Sequence, residues 1–391
     1  MSAVTHQILS WFFYHGLGTI TQISEEIGAS IPTTTKAMVE LENRGIVKDF
    51  GKVTTKSGRS PYQYGFNPDA ACFVGVDIRK ERVELGLCDL TGAFKMQKSS
   101  QALYENTQEY FIVLCDIIAA FIEEADAYKS GIACINVNIS GRVNSAKGAS
   151  YSIFKFENND APLAEIFHQR LGIPTFIEND TRAMAYSELM LGAGKKYKDF
   201  LYINASWGLG LSIIANGQIY RGRDGYSGEL GHVHAYDNNI ICHCGKKGCM
   251  ETEISGQAIV RKLTERIQLG ESSVLSQKVR RGESITTEDI IYALEKEDPL
   301  CIELVSYTGT ELGKQLAGIM NLLNPESIII GGTLSKAASY YFLQYAALAV
   351  KQHSLKLISQ HVPVLTSTLG DMAGITGACL LARNRTMGSK L

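Results

Sequence analysis

Neither sign of charge is in excess: 38 Lys and Arg face 40 Asp and Glu, so the 391-residue chain carries a formal net charge of −2. A near-neutral chain is neither a globally basic nucleic-acid coat nor a disordered acidic tail, and any contact with DNA has to come from a local patch. Residues 1–19 lack a basic segment ahead of an apolar run and lack a small-residue cleavage site, so no secretion is expected. Low-complexity segments are missing too. Residues 200–220 are uncharged and long enough for a bilayer, but Asn, Ser, Gln and Gly-x-Gly-like interruptions break them into strand-turn-strand pieces, so no membrane partner is expected. The cysteines number nine, an odd count, and Cys72, Cys88, Cys115, Cys134, Cys301 and Cys379 sit singly in apolar runs. They read as reduced core residues of a cytoplasmic protein, not as a disulfide framework.

The other three cysteines do cluster. Cys242, Cys244 and Cys249 fall in one glycine-punctuated loop, Cys242-His243-Cys244-Gly245-Lys246-Lys247-Gly248-Cys249. Thiolate sulfur and imidazole nitrogen are the ligands of tetrahedral Zn²⁺, and one histidine completes a closed, structural four-ligand set. His232, His234 and His243 are all near enough in sequence. His232 is preferred because Glu229-Leu230-Gly231-His232 ends the preceding glycine-rich segment and forms a natural entrance to the loop.

The chain is long enough for two or three domains of about 100–200 residues. Residues 1–68 form the first. Apolar residues at helical spacing in 4–13 give a helix that Gly16 and Gly18 stop; Thr19 opens a second helix; and after Gly28-Ala29, Ser30 caps a third over 31–44 with Pro32 in its first turn. Two short helices around a tight glycine-containing turn form a helix-turn-helix, and strands at 45–51 and 62–66 around a 54–61 turn add the wing. Arg44, Lys48, Lys52, Lys56 and Arg59 against Asp49 make a local positive excess over that wing, a footprint for phosphate. Thr33, Thr34, Thr35 and Lys36, in the third helix, are short or polar enough to enter a major groove.

From about residue 70 onward the pattern is α/β in two lobes. Strands at 73–78 and 83–90 pair through a 79–82 turn, a long amphipathic helix covers 107–128, and an apolar strand at 132–139 runs into Ser140-Gly141-Arg142. Pro174 precedes a strand that ends in Glu178-Asn179-Asp180 and a helix over 181–190. Further strands are expected at 200–214, 327–330 and 364–366, and helices at 255–268, 287–296 and 300–323. Two similarly ordered lobes with acidic residues at strand ends suggest a cleft that takes a polar ligand.

Glu178-Asn179-Asp180, Gly208-Leu209-Gly210, Asn216-Gly217, Gly228-Glu229-Leu230-Gly231-His232, the cysteine loop with Glu251 two residues after it, and Asn324-Pro325 leading to Gly331-Gly332 stand in this order. Together they resemble the ROK family of repressors, open reading frames and kinases, over residues 70–382. The resemblance implies an actin-like, ribonuclease-H-like two-lobed body (69–190 and 191–391, with a C-terminal helix that can return to the first lobe). It also implies structural zinc on His232, Cys242, Cys244 and Cys249, and a monosaccharide bound by Gly141, Arg142, Asn179, Asp180, Glu229, His232 and Glu251. Asp180 matches the general base of the family's kinases. The preceding winged helix is similar to that of the family's transcriptional repressors.

One departure separates the two activities. A ROK kinase holds ATP phosphates on an Asp-x-Gly-Gly-Thr loop, where glycine lets backbone N–H groups approach the anion. This chain has Asp77-Ile78-Arg79-Lys80-Glu81, and its second glycine-rich loop is reduced to Ser206-Trp207-Gly208-Leu209-Gly210. The expected protein is therefore a sugar-responsive repressor that binds operator DNA as a homodimer or homotetramer and is not an enzyme. An active ATP-dependent sugar kinase is the alternative.

Overall fold

The computed structural model describes residues 2–53, 60–125, 131–154, 161–337 and 339–386. Hydroxyl caps set the first helices. Ser2 accepts from Thr5 N at the start of α1 (Ala3–His15), which Gly16 ends at φ 77°. Thr19 closes β1 (Gly18–Thr19) and forms a reciprocal capping box with Gln22 for α2 (Ile20–Ile27), which ends on Gly28 in the left-handed conformation. Ser30 caps α3 (Ile31–Asn43), with Pro32 in its first turn. β2 (Val47–Lys52) and β3 (Tyr62–Phe66) form the wing, and β1 adds a short third strand to β3. Two-residue β1 is too short for an alternation pattern, which is why periodicity missed it.

Ile8, Leu9, Phe12, Ile23, Met38 and Leu41 form the buried centre of this winged helix. Thr34 joins them. It is 0 % exposed and its hydroxyl donates to Ser30 O at 3.2 Å, so the expectation that it reads a groove is corrected: at this helical position the side chain points to the core. Lys56 and Arg59 lie outside the described residues.

The chain divides into two compact units, residues 1–183 with 375–391, and residues 184–374. In the first, β4 (Cys72–Ile78), β5 (Arg82–Asp89) and β6 (Phe94–Gln101) are antiparallel neighbours, followed by α4 (Gln108–Ala125) and β7 (Ile132–Ile139). A small ribbon of β8 (Val143–Asn144) and β9 (Ala149–Ser150) leads through α5 (Leu163–Leu171) to β10 (Thr175–Asn179) and α6 (Asp180–Leu191). The sheet order is β10-β7-β4-β5-β6, with β4, β7 and β10 mutually parallel.

The second unit repeats that plan. β11 (Phe200–Ala205), β12 (Leu209–Ala215) and β13 (Gln218–Tyr220) are antiparallel. They account for the uncharged 200–220 stretch, and no helix among the described residues is long and apolar enough to cross a membrane. α7 (Gly256–Gln268), α8 (Ser276–Arg280), α9 (Thr287–Glu295) and α10 (Pro299–Leu323) come next. β14 (Ser327–Gly331), α11 (Thr333–Ala337), α12 (Gln344–His353), α13 (Lys356–Ser359) and β15 (Val364–Thr366) complete the order β13-β12-β11-β14-β15. Within each sheet the first strand lies centrally, two antiparallel strands extend one side and two parallel strands the other. This is the ribonuclease-H-like arrangement, present in both units.

α14 (Ala373–Thr386) packs on β4 so closely that a Cβ on Gly75 would come within 2.6 Å of Cys379 N. It also touches the winged helix, where the Arg383 guanidinium stacks 4.5 Å from the centroid of Phe13 while donating to Thr91 O at 2.9 Å. All nine cysteines are free, and the six outside the loop are buried.

Candidate metal centre, effector groups and DNA-reading helix

Turn chemistry builds the cysteine loop. Gly245 N donates to Cys242 O and Cys242 N to Lys246 O, both at 2.8 Å, and bridges between His234 and Cys249 and between Ile241 and Lys247 close its base. Gly245 and Gly248 adopt positive φ, and a side chain on Gly248 would run into Tyr236 O and the His234 ring. The donor atoms of His232, Cys242, Cys244 and Cys249 all fall within 4.8 Å of one another, and this group could hold a metal ion. His232 Nδ1 lies 3.6 Å from Cys242 Sγ, and the Cys244 and Cys249 sulfurs are 3.5 Å apart. His234 belongs to no such group among the described residues; it packs on Gly248 instead.

His243 falls in a second group that could hold a metal ion, with His232 and Glu251. Its Nδ1 stands 3.0 Å from Glu251 Oε1, and Leu209 N donates to Glu251 Oε2 at 3.1 Å. Burial alone would raise the Glu251 carboxyl, but these two hydrogen bonds and the imidazoles of His243 and His232 hold it below the usual carboxylate range. Glu229 faces the other side of the metal-group histidine, with its Oε2 3.8 Å from His232 Nε2. Sequence reasoning weighed His243 only as a metal ligand and missed its pairing with Glu251, because nothing in the spacing tells which carboxylate an exposed imidazole meets.

In the first unit the residues expected to meet a sugar sit where β10 becomes α6. Glu178 is fully buried; its Oε1 accepts from Arg182 Nε at 2.8 Å and from Asn179 N at 2.9 Å, and Arg385 of α14 approaches Oε2 at 3.4 Å. This clamp fixes the two residues that follow. Asn179 Nδ2 donates to Gly141 O and to Asp180 Oδ1, both at 3.1 Å, and Asn179 Oδ1 accepts from Arg182 N. Asp180 accepts from Thr181 N and, on Oδ2, from Ser140 Oγ, each at 2.7 Å. Burial raises the Asp180 carboxyl above its usual range and the nearby Asp77 charge adds to this, while the Ser140 and Thr181 bonds oppose it. Gly141 has φ 86°, and Arg142 is held through its N and Nε on Ser152 Oγ at 2.9 and 3.1 Å. Ser140 and Ser152 are positioning groups that the motif did not single out.

The region that matches a phosphate loop is a tight hairpin turn. Arg79 N donates to Arg82 O at 3.0 Å, and Arg79 Nε pairs with buried Asp77 Oδ2 at 3.0 Å. At the second loop, Ser206 N is bonded to Gly208 O, and the carbonyls of Ser206 and Trp207 receive Gly256 N and Gln257 N from the start of α7. Of the loop's amides, Ser206 N is thus committed within the protein, as is Leu209 N, which donates to Glu251 Oε2.

On the winged helix, Thr33, Lys36 and Arg44 are exposed on or beside α3, Thr35 is half-buried with its hydroxyl on Ile31 O, and Lys52 is exposed on β2.

A winged helix-turn-helix on a duplicated ribonuclease-H-like body, with a Cys-His metal group, defines a regulator-type architecture of the actin-like class. The chain belongs to the ROK family, which it matches over residues 73–385. It is similar to the DNA-binding transcriptional dual regulator NagC of Escherichia coli, 27 % identical over 363 residues that cover 93 % of this chain and 88 % of that protein. A xylose repressor of Caldicellulosiruptor bescii is 25 % identical, covering 91 % and 89 %. Among solved structures, a ROK family transcriptional regulator homologous to the E. coli MLC protein superposes with a TM-score of 0.82 at 27 % identity, over 98 % of this chain and 96 % of that one. A ROK glucokinase from Streptomyces griseus, in complex with glucose and AMPPNP, gives a TM-score of 0.67 at 27 % identity. It spans all of itself but 80 % of this chain.

Proposed function

We propose that this protein is a transcriptional repressor that binds operator DNA through its winged helix and changes that affinity when a monosaccharide binds the ROK body. The observation that carries the reading is the contrast within the body. Sugar-type groups are present, in Asn179 and Asp180 of the first unit and in Glu229, His232 and Glu251 of the second. The first phosphate loop is instead closed by the Arg79–Asp77 pair. Carboxylates accept hydrogen bonds from sugar hydroxyls, and imidazole and amide groups complement them. Asn179 contributes chiefly by holding Gly141 and Asp180, since both its amide hydrogens are already used.

A relative named a xylose repressor and one named a DNA-binding transcriptional dual regulator align along most of the chain, whereas the glucokinase leaves a fifth of it unmatched. That fraction suits a winged helix over residues 1–68, followed by two ROK lobes. Arg142 is the remaining sugar-facing candidate of the first unit.

The metal group fits structural Zn²⁺. Its donors are one imidazole and three thiols, and the 3.5 and 3.6 Å separations are those of ligands at about 2.0–2.3 Å in a tetrahedron. His232, Cys242, Cys244 and Cys249 would hold the ion, which when bound would cross-link the loop and steady the His232 ring, whose Nε2 lies 3.8 Å from Glu229 Oε2. Four protein ligands leave no open position for substrate.

Asp180 favours the second reading, a sugar kinase, because burial raises its carboxyl toward the range of a general base. Coupled detection of ADP with a panel of hexoses and N-acetylhexosamines separates the two. Thermal shift against the same panel identifies the effector, since a native-state ligand stabilises the fold. No ADP together with a stabilising sugar supports the regulator; ADP release lost in Asp180→Asn supports the kinase.

A further inference from the structure

The regulator reading leaves open which side chains read the bases, and the geometry of α3 narrows them. Thr34, Ala37, Met38 and Leu41 turn inward to the core. Thr33 is tied to its cap, with Oγ1 2.8 Å from Ser30 Oγ, and the Thr35 hydroxyl donates to Ile31 O at 2.8 Å. Glu40 faces Arg44 at 3.9 Å. At 100° per residue, the direction opposite the buried set is occupied by Lys36, Val39 and Asn43, spaced i, i+3, i+7. Lys36 and Asn43 are exposed polar groups with no hydrogen bond or ion pair among the described residues. Val39, between them, is 50 % exposed, and Pro32 at the first turn is the other exposed apolar residue on this face.

We infer that Lys36, Val39 and Asn43 form the base-reading surface of the third helix, and that Val39 packs against a thymine methyl group of the operator. This rests on the DNA-binding reading above. Charge supports duplex DNA over a protein partner: Lys36 lies on the same face, and exposed Arg44, Lys48 and Lys52 follow at the end of α3 and on β2, against exposed Glu40 and Glu42 on the sides of α3. The thymine methyl is the apolar group that a base pair offers in the major groove, while Lys and Asn match guanine and adenine edges. Thr34, which the sequence pattern favoured, has no part in it.

The test uses the full-length protein. Its preferred duplex is selected from a random library, and each thymine is then replaced by uracil, which removes only the methyl group. The inference requires one position per half-site where uracil weakens wild-type binding about fourfold, the effect of one buried methyl group. Val39→Ala should bind the thymine and uracil duplexes equally, and Val39→Ile should keep the preference. Val39 is exposed, so neither variant endangers the fold. A flat uracil scan in the wild type, or a Val39→Ala protein that still prefers thymine, overturns the assignment while leaving sequence-specific binding intact. Selection that yields no preferred sequence overturns the DNA-binding reading itself, and this assignment with it.

Discussion

Arg79 donates from Nε to Oδ2 of Asp77 across 3.0 Å at the end of β4, and the carboxylate it meets is buried. The residue that stands in place of a phosphate-loop glycine is thus also the partner of the aspartate two positions before it. Arg79→Ala would leave Asp77 with Asn138 Nδ2, 3.2 Å away, as a side-chain donor. Loss of a hydrogen bond to a charged, buried group should cost about 2 kcal/mol, read as a lower urea midpoint. Sugar-dependent ADP should be absent in the wild type and in the variant, because removing one side chain does not rebuild a glycine loop.

Chelation should affect both the fold and the effector response. Protein purified without chelator is expected to hold about one Zn²⁺ per chain, and Cys244→Ala to hold none by elemental analysis. The same variant should show a lower Tm and a weaker sugar-induced shift, because His232 sits in the metal group while its Nε2 faces Glu229. A zinc-free Cys244→Ala protein with a normal sugar shift would break the link between loop and effector.

Asp180 should set part of the pH dependence of stability. Its native carboxyl is raised above the ordinary 3.8, so the folded state binds the proton more tightly than the unfolded chain does. Stability contributed through this group is complete below the unfolded value and is lost as pH rises through the native one. Asp180→Asn, whose Oδ1 can still accept from Thr181 N while its amide nitrogen donates to Ser140 Oγ, should therefore gain in Tm relative to wild type as pH rises above about 4. The same variant should lose its response to sugar. A Tm difference that does not grow with pH would show that burial is not what Asp180 opposes.

Thr34 and Lys52 should fail differently. Thr34→Ala removes a buried hydroxyl bonded to Ser30 O and should lower stability by about 1 kcal/mol without changing which operator is preferred. Lys52→Ala should weaken binding to all duplexes alike and reduce the slope of log K against log salt by about 0.9, the value for one phosphate contact. Anisotropy titrations at several salt concentrations measure both.

Elements with one clear period were legible in the sequence. α2, α3 and α10 carried hydroxyl or acidic caps and apolar spacing, and β4, β7 and β14 were apolar runs bounded by turn residues. α14 showed no such period, because it is buried nearly all round and presents no polar stripe, and only the family resemblance implied a C-terminal helix there. β6 was hidden by Lys95, Lys98, Ser99 and Ser100, since an edge strand exposes much of its length. In the site, motif spacing brought out the metal group. It did not reveal the Glu178 clamp by Arg182 and Arg385, whose third member lies 207 residues away in sequence.

The central claim is that sugar binding and DNA binding are coupled in one chain, and operator affinity measured by fluorescence anisotropy with and without the stabilising monosaccharide tests it most directly. The account predicts sequence-specific binding that the sugar weakens severalfold, since a ligand shifts the equilibrium only through its different affinity for two states. Glu251→Ala should bind the operator with unchanged affinity and ignore the sugar. Operator affinity unaffected by every sugar that stabilises the wild-type protein would contradict the account.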